Sequence, residues 1–155
     1  MDLHLVLIEP EIPQNTGNIA RTCAALGATL DLIEPLGFSL EDRYLRRAGL
    51  DYWPLVRFEV YPNFEEFLAI HGSSNVYLTS RRGTLLYTGI RYPDPCYFVF
   101  GKESSGLSSD MLERFPDRII RIPTRKEARS LNLSNTAAIL AYEYACQQGF
   151  PGLEL

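Results

Sequence analysis

Apolar residues fill Leu3 to Ile8 almost without a break, the pattern of a strand buried on both faces of a parallel sheet. A loop from Glu9 to Gln14 follows, in which Pro10 and Pro13 block a helix. From Asn15 the spacing turns helical, with Ile19, Cys23 and Leu26 on one face and Asn18 and Arg21 on another, and Gly27 closes the segment. Thr29 to Ile33 returns to a strand pattern. This β-α-β opening predicts an α/β fold on a mostly parallel sheet with flanking helices.

The same reading gives a short basic helix over Leu40 to Ala48, a strand over Val56 to Val60 and a helix over Phe64 to Ile70. Asn75 to Thr79 and Tyr97 to Phe100 have the β propensity of central strands, and the stretch between them is broken by Gly83, Gly89, Pro93 and Pro95. Ser108 can cap a short helix reaching Arg114, and Arg118 to Ile122 forms the last strand. The final helix is the clearest element: Asn132 or Ser134 is its N-cap, Ala137 to Cys146 are good helix formers, and Gly149 is its stop. Its residues Ala137, Ala138, Ala141 and Ala145 permit close approach of another backbone. No repeat or linker divides the 155 residues, which are expected to form one domain, 1–155.

Composition narrows the function classes. Hydrophobic residues at 46% and charged residues at 22% describe a globular chain. No apolar run approaches the roughly 20 residues of a membrane span, and the start is strand-like rather than a cleavable leader, so a cytoplasmic protein is expected. Cys23, Cys96 and Cys146 are an odd number without short spacings, which points to reduced, mostly buried thiols. His4 and His71 stand isolated in the sequence, so no metal site is expected. The net charge of −4 argues against nucleic-acid binding by bulk electrostatics. Local clusters must then carry it: Arg43, Arg46 and Arg47; Arg81 and Arg82; and Arg121, Arg125, Lys126 and Arg129.

Three segments, the first two with glycine, place polar residues at strand ends, where open α/β sheets bind ligands. In Asn15-Thr16-Gly17-Asn18-Ile19-Ala20-Arg21, the residues Asn15, Asn18 and Arg21 recur along one strip of a helix and can hold a phosphate and a sugar hydroxyl together, though a capped helix with an exposed arginine has the same pattern. In Phe100-Gly101-Lys102-Glu103-Ser104-Ser105-Gly106-Leu107, Gly101 directly follows a buried strand. That loop lacks both the dinucleotide fingerprint and the P-loop. Its Glu103 is either a solvated carboxylate or the partner of a cation. The third segment, Ile122-Pro123 continuing to Ser130-Leu131-Asn132-Leu133-Ser134-Asn135, holds more hydrogen-bonding side chains than one helix cap needs.

Together these segments resemble the three motifs of the SPOUT methyltransferases. The resemblance covers nearly the whole chain, including Glu9-Pro10-Glu11-Ile12-Pro13-Gln14-Asn15-Thr16-Gly17-Asn18 and Leu45-Arg46-Arg47-Ala48-Gly49-Leu50-Asp51-Tyr52. Within the superfamily the chain is most similar to the small single-domain enzymes that methylate the ribose of the tRNA wobble nucleotide, cytidine or a modified uridine. That resemblance implies a C-terminal trefoil knot, a homodimer, tRNA recognised at its anticodon region, and S-adenosylmethionine as cofactor, leaving S-adenosylhomocysteine. Carried over by position, Leu78, Thr79, Gly101, Ile122, Ser130 and Leu131 match cofactor contacts. Arg21 matches the arginine at the target ribose, with Asn18, Glu103 and Asn132 around it as the remaining catalytic positions.

The implied reaction is an in-line displacement in which the ribose 2′-oxygen takes the methyl group of a sulfonium. A guanidinium rarely gives up its proton, so Arg21 is expected to orient the ribose or phosphate and stabilise developing charge rather than act as base. Competing readings are 2′-O-methylation of another tRNA or rRNA nucleotide, a non-enzymatic RNA-binding paralogue, and an unrelated nucleotide-binding α/β protein. Cofactor binding and mapping of the methylated nucleotide separate them.

Overall fold

The computed structural model describes residues 1–41, 43, 45, 47 and 52–154. Seven parallel strands form one sheet in the order β3-β2-β1-β6-β4-β7-β5. They are β1 (Leu3–Ile8), β2 (Thr29–Ile33), β3 (Arg57–Tyr61), β4 (Val76–Thr79), β5 (Leu85–Leu86), β6 (Cys96–Phe100) and β7 (Ile119–Arg121). The helices are α1 (Pro13–Leu26), α2 (Phe64–His71), α3 (Ser109–Glu113) and α4 (Leu133–Gln147).

The apolar run of β1 is buried throughout because it lies between β2 and β6 with side chains entering a core on each face. Leu3, Leu5 and Leu7 join Leu30, Leu32, Phe98 and Phe100 beneath α1 and α4. Val6 and Ile8 join Ile33, Val76, Leu78 and Val99 on the face covered by α2. Edge strand β3 instead alternates exposed Arg57 and Glu59 with half-buried Phe58 and Val60, charges that discourage pairing with another chain.

Pro13 corrects the expected loop. It is the first residue of α1, where its missing N–H costs no helical hydrogen bond and its fixed φ suits the turn. The helix then buries Ile19, Cys23 and Leu26 as their spacing predicts and ends at Gly27 with φ 69°. In α4 the buried stripe Ala137, Leu140, Ala141, Tyr144 and Ala145 packs against α1 and the sheet, so the small residues admit this chain's own α1. Asn132 is its N-cap, accepting from the backbone N–H groups of Ser134 and Asn135. Ser108 caps α3 as expected, accepting from the N–H of Met111 at 3.2 Å.

The two-residue strand β5 falls within the stretch expected to be irregular. Of the expected basic helix over Leu40 to Ala48, Leu40 and Glu41 form a turn, Arg43, Leu45 and Arg47 are helical, with Leu45 buried, and the other positions, Arg46 included, lie outside the described residues. Cys23 and Cys96 are buried and Cys146 is exposed. No helix among the described residues is long and apolar enough to cross a membrane.

Candidate functional site

Strand order sets the place of the site. The chain leaves β1 toward β2 on one side and reaches β6 on the other, so the loops after Ile8 and Phe100 diverge from adjacent carboxyl ends, the position where open sheets form a ligand crevice. Beyond the carboxyl ends of β6, β4 and β7 lies a cleft of about 890 Å³, within the size range of small-molecule sites. Leu107, Ile122 and Leu131 give it apolar wall, while Thr79, Ser80, Ser130 and the loop backbone supply polar groups. Arg81, Arg82, Arg121 and Arg129 also line it, which concentrates cationic charge at one opening of an acidic chain.

Hydrogen bonds fasten the three polar segments to one another. The Glu103 carboxylate accepts from the backbone N–H of Glu11 at 2.9 Å, from that of Ile12 at 3.0 Å and from Asn15 Nδ2 at 3.3 Å. Ile12, the N-cap of α1, makes no side-chain cap, so Glu103 supplies the acceptor from a distant loop and places negative charge at the helix N-terminus. In return the Glu11 carboxylate accepts from Ser104 N–H at 3.0 Å and Ser104 Oγ at 2.9 Å, bonds that hold its carboxyl below the ordinary range. Lys102 Nζ lies 3.2 Å from Glu9 Oε1. Asn15 Oδ1 then accepts from Asn132 Nδ2 at 3.0 Å, which carries the network to the start of α4.

Thr79, Gly101, Glu103, Ile122, Ser130, Leu131 and Asn132 meet in one cleft. Leu78 does not join them: its side chain is 0% exposed and packs toward α2, one position out of phase with Thr79. Asn18 and Arg21 lie exposed on α1 outside the cleft lining, and the Arg21 guanidinium sits 4.8 Å from the Tyr52 ring centroid. Asn15 is buried and turned to Glu103 and Asn132, so it leaves the strip expected to run through Asn18 and Arg21. Neither expected role of Glu103, solvated carboxylate or cation partner, describes its helix-capping bonds. Sequence reading missed Ser80, Leu107, Leu112 and Thr136 in the lining, although Leu107 follows directly on the glycine loop.

Shared bonds make a mutational prediction. Glu103→Ala should destabilise the fold by about 2 kcal/mol in urea unfolding, since a charged acceptor and three donors lose one another. Adding Asn15→Ala should cost less than the sum of the single effects, by at least about 0.5 kcal/mol. Strict additivity would separate the two residues energetically.

A second cluster corrects the expectation that His4 and His71 are isolated. Across the sheet, donor atoms of His4, Asp31 and His71 lie within 4.8 Å of one another, because β1 and β2 are adjacent and α2 ends beside them. His4 Nδ1 is 2.6 Å from Asp31 Oδ2. Burial opposes protonation of His4, but the bond and charge of Asp31, helped by Asp2, outweigh it and raise its pKa; burial lowers that of His71.

The chain is similar to known proteins over most of its length. Residues 2–142 match the SpoU rRNA Methylase family. The tRNA (cytidine(34)-2′-O)-methyltransferase of Escherichia coli K12 is 41% identical over 154 residues, covering 99% of this chain and 98% of that protein. A structure described as giving insight into 2-OH methylation of C/U34 on tRNA superposes with a TM-score of 0.88 at 44% identity, covering 96% of this chain and 97% of the other. An AdoMet-bound rRNA methyltransferase from Sinorhizobium meliloti gives a TM-score of 0.84 at 26% identity, over 94% of this chain and 56% of its own.

Proposed function

Because the chain belongs to the SpoU rRNA methylase family, we propose that it is a tRNA ribose 2′-O-methyltransferase acting on the wobble nucleotide, cytidine or a modified uridine, with S-adenosylmethionine as methyl donor. One observation carries the assignment: the Glu103–Asn15–Asn132 network joins the glycine loop, the first helix and the last helix around one cleft. The names of the relatives support this substrate class.

The cleft suits the donor by size and by chemistry. Apolar Leu107, Ile122 and Leu131 can flank an adenine, and Thr79, Gly101, Ser130 and the adjoining backbone offer polar partners. When bound, S-adenosylmethionine supplies a sulfonium methyl group for displacement by the ribose 2′-oxygen. This chain's residues act by placement. Gly101 and Glu103 fix the loop, Asn132 anchors α4 and caps it, and the arginines at the opening attract phosphate. Arg21 and Asn18, on the exposed face of α1, receive the ribose and its phosphate, with Arg21 stabilising the developing alkoxide. Good alignment of reacting atoms can contribute about 7–11 kcal/mol, so a rigid scaffold matters more here than a strong base.

We also infer a single domain over 1–155, a C-terminal trefoil knot, a homodimer and a cytoplasmic location. Support for the knot comes from the 80–84 loop, which crosses β7 so closely that a Cβ on Gly83 would lie 2.7 Å from the Ile119 carbonyl oxygen. The apolar side chains of Ile12, Tyr52, Leu131 and Tyr142, exposed at the surface, support association with a second copy. The cytoplasm is where tRNA is available.

Incubation of the full chain with labelled S-adenosylmethionine and tRNA from a strain lacking the protein, followed by nucleoside mapping, tests the assignment. A 2′-O-methylated wobble nucleotide is the expected product. Methylation of rRNA or another tRNA position would redirect it, and cofactor binding without transfer would indicate a non-enzymatic RNA binder.

A further inference from the structure

We propose that His4, Asp31 and His71 form a binding site for one divalent zinc-class metal ion, at the end of the sheet opposite the methyl-transfer cleft. The donors come from β1, β2 and the last residue of α2, and the recess above them is lined by Thr29, Arg57, Glu59 and Tyr61. Two imidazole nitrogens and one carboxylate oxygen match the donor set of zinc rather than the all-oxygen shells of magnesium or calcium.

Geometry takes the site beyond a histidine–aspartate pair. Asp31 is 0% exposed in mid-strand, and its Oδ1 has no hydrogen-bond partner among the described residues, although a buried carboxylate is costly unless its lone pairs are engaged. His4 satisfies only Oδ2. Four-coordinate zinc with bonds of about 2.0–2.2 Å places neighbouring donors roughly 3.3–3.5 Å apart. The 2.6 Å contact between His4 and Asp31 would open by less than about 1 Å, and donors now up to 4.8 Å apart would close by up to about 1.5 Å. Outer groups are already present: Asp2 Oδ1 lies 3.3 Å from His4 Nε2, and the Tyr61 hydroxyl lies 2.9 Å from His71 Nε2. Such partners orient imidazole ligands in metal sites. The His71 ring, packed near His4, Phe67 and Tyr97, is held in place while remaining partly open to solvent.

The test uses metal-free full-length protein carrying Cys146→Ser, since the exposed Cys146 thiol could bind zinc by itself. Calorimetric titration with Zn²⁺ should give one equivalent per chain, and Co²⁺ should give the intense visible band of a four-coordinate site. His71→Ala, at a partly exposed position, should keep the far-ultraviolet spectrum of a folded chain and weaken Zn²⁺ binding at least tenfold. Asp31→Asn, nearly isosteric, should do the same. Zn²⁺ should raise Tm in the Cys146→Ser protein but not in either further variant. Binding unchanged by His71→Ala, or no stoichiometric binding at all, overturns the proposal. None of these readouts uses tRNA or S-adenosylmethionine, so the outcome is independent of the proposed reaction.

Discussion

Arg21→Ala is expected to lower kcat/KM for methyl transfer to tRNA by about a hundred- to a thousandfold, the loss typical of removing one well-placed donor to developing negative charge. Affinity for S-adenosylmethionine should stay within about twofold, because Arg21 is exposed on α1 and outside the cleft lining. Among the described residues the guanidinium contacts the Tyr52 ring at 4.8 Å, and a cation–π contact at an exposed site contributes about 0.5–1 kcal/mol. An RNA phosphate can displace that contact at little cost. Arg21→Lys keeps the charge but loses the planar fork, so its rate should fall between those of wild type and alanine. Single-turnover rates at saturating tRNA separate chemistry from binding. Normal turnover by the alanine variant would remove Arg21 from the reaction.

The residues legible in sequence are those whose role is local. Leu3 to Ile8 announces a doubly buried strand by its apolar run, and Ile19, Cys23 and Leu26 announce the buried face of α1 by spacing alone. Ser108 and Asn132 are readable as caps because capping acts within three residues. The partners that join distant segments are not readable in this way. Glu103 caps a helix 91 residues away in sequence, and no local pattern connects it to the bare N-cap at Ile12. His4 and Asp31 are 27 residues apart and meet only because β1 and β2 align in register. Strand phase explains Leu78: family position carries it to the cleft, yet the pleat that brings Thr79 to the lining sends Leu78 into the core. The short β5 was hidden for a further reason, since two residues, Leu85 and Leu86, are too few to establish a period.

Gly101→Ala is expected to weaken S-adenosylmethionine binding by ten- to about a hundredfold and to destabilise the fold by about 1–3 kcal/mol, the usual cost of overpacking. A Cβ at residue 101 would lie 2.1 Å from the Gly106 carbonyl carbon and 2.3 Å from the Leu107 nitrogen. Those atoms are backbone, so no rotamer change relieves the clash and the 101–107 loop must rebuild. Rebuilding would pull on the Lys102–Gly106 bridge and on Glu103, whose carboxylate holds the start of α1. Gly106→Ala separates crowding from backbone strain: nothing lies within 4 Å of its added Cβ, but φ is 68°, so the expected cost is only about 1–2 kcal/mol. Calorimetric titration with S-adenosylmethionine and urea unfolding of both variants measure the two effects. If crowding at the strand end shapes the cleft, Gly101→Ala should lose affinity well beyond Gly106→Ala even where their stabilities are similar. Equal affinities would show that the loop can move without closing the cleft, and the close backbone approach at Gly101 would then serve the fold alone.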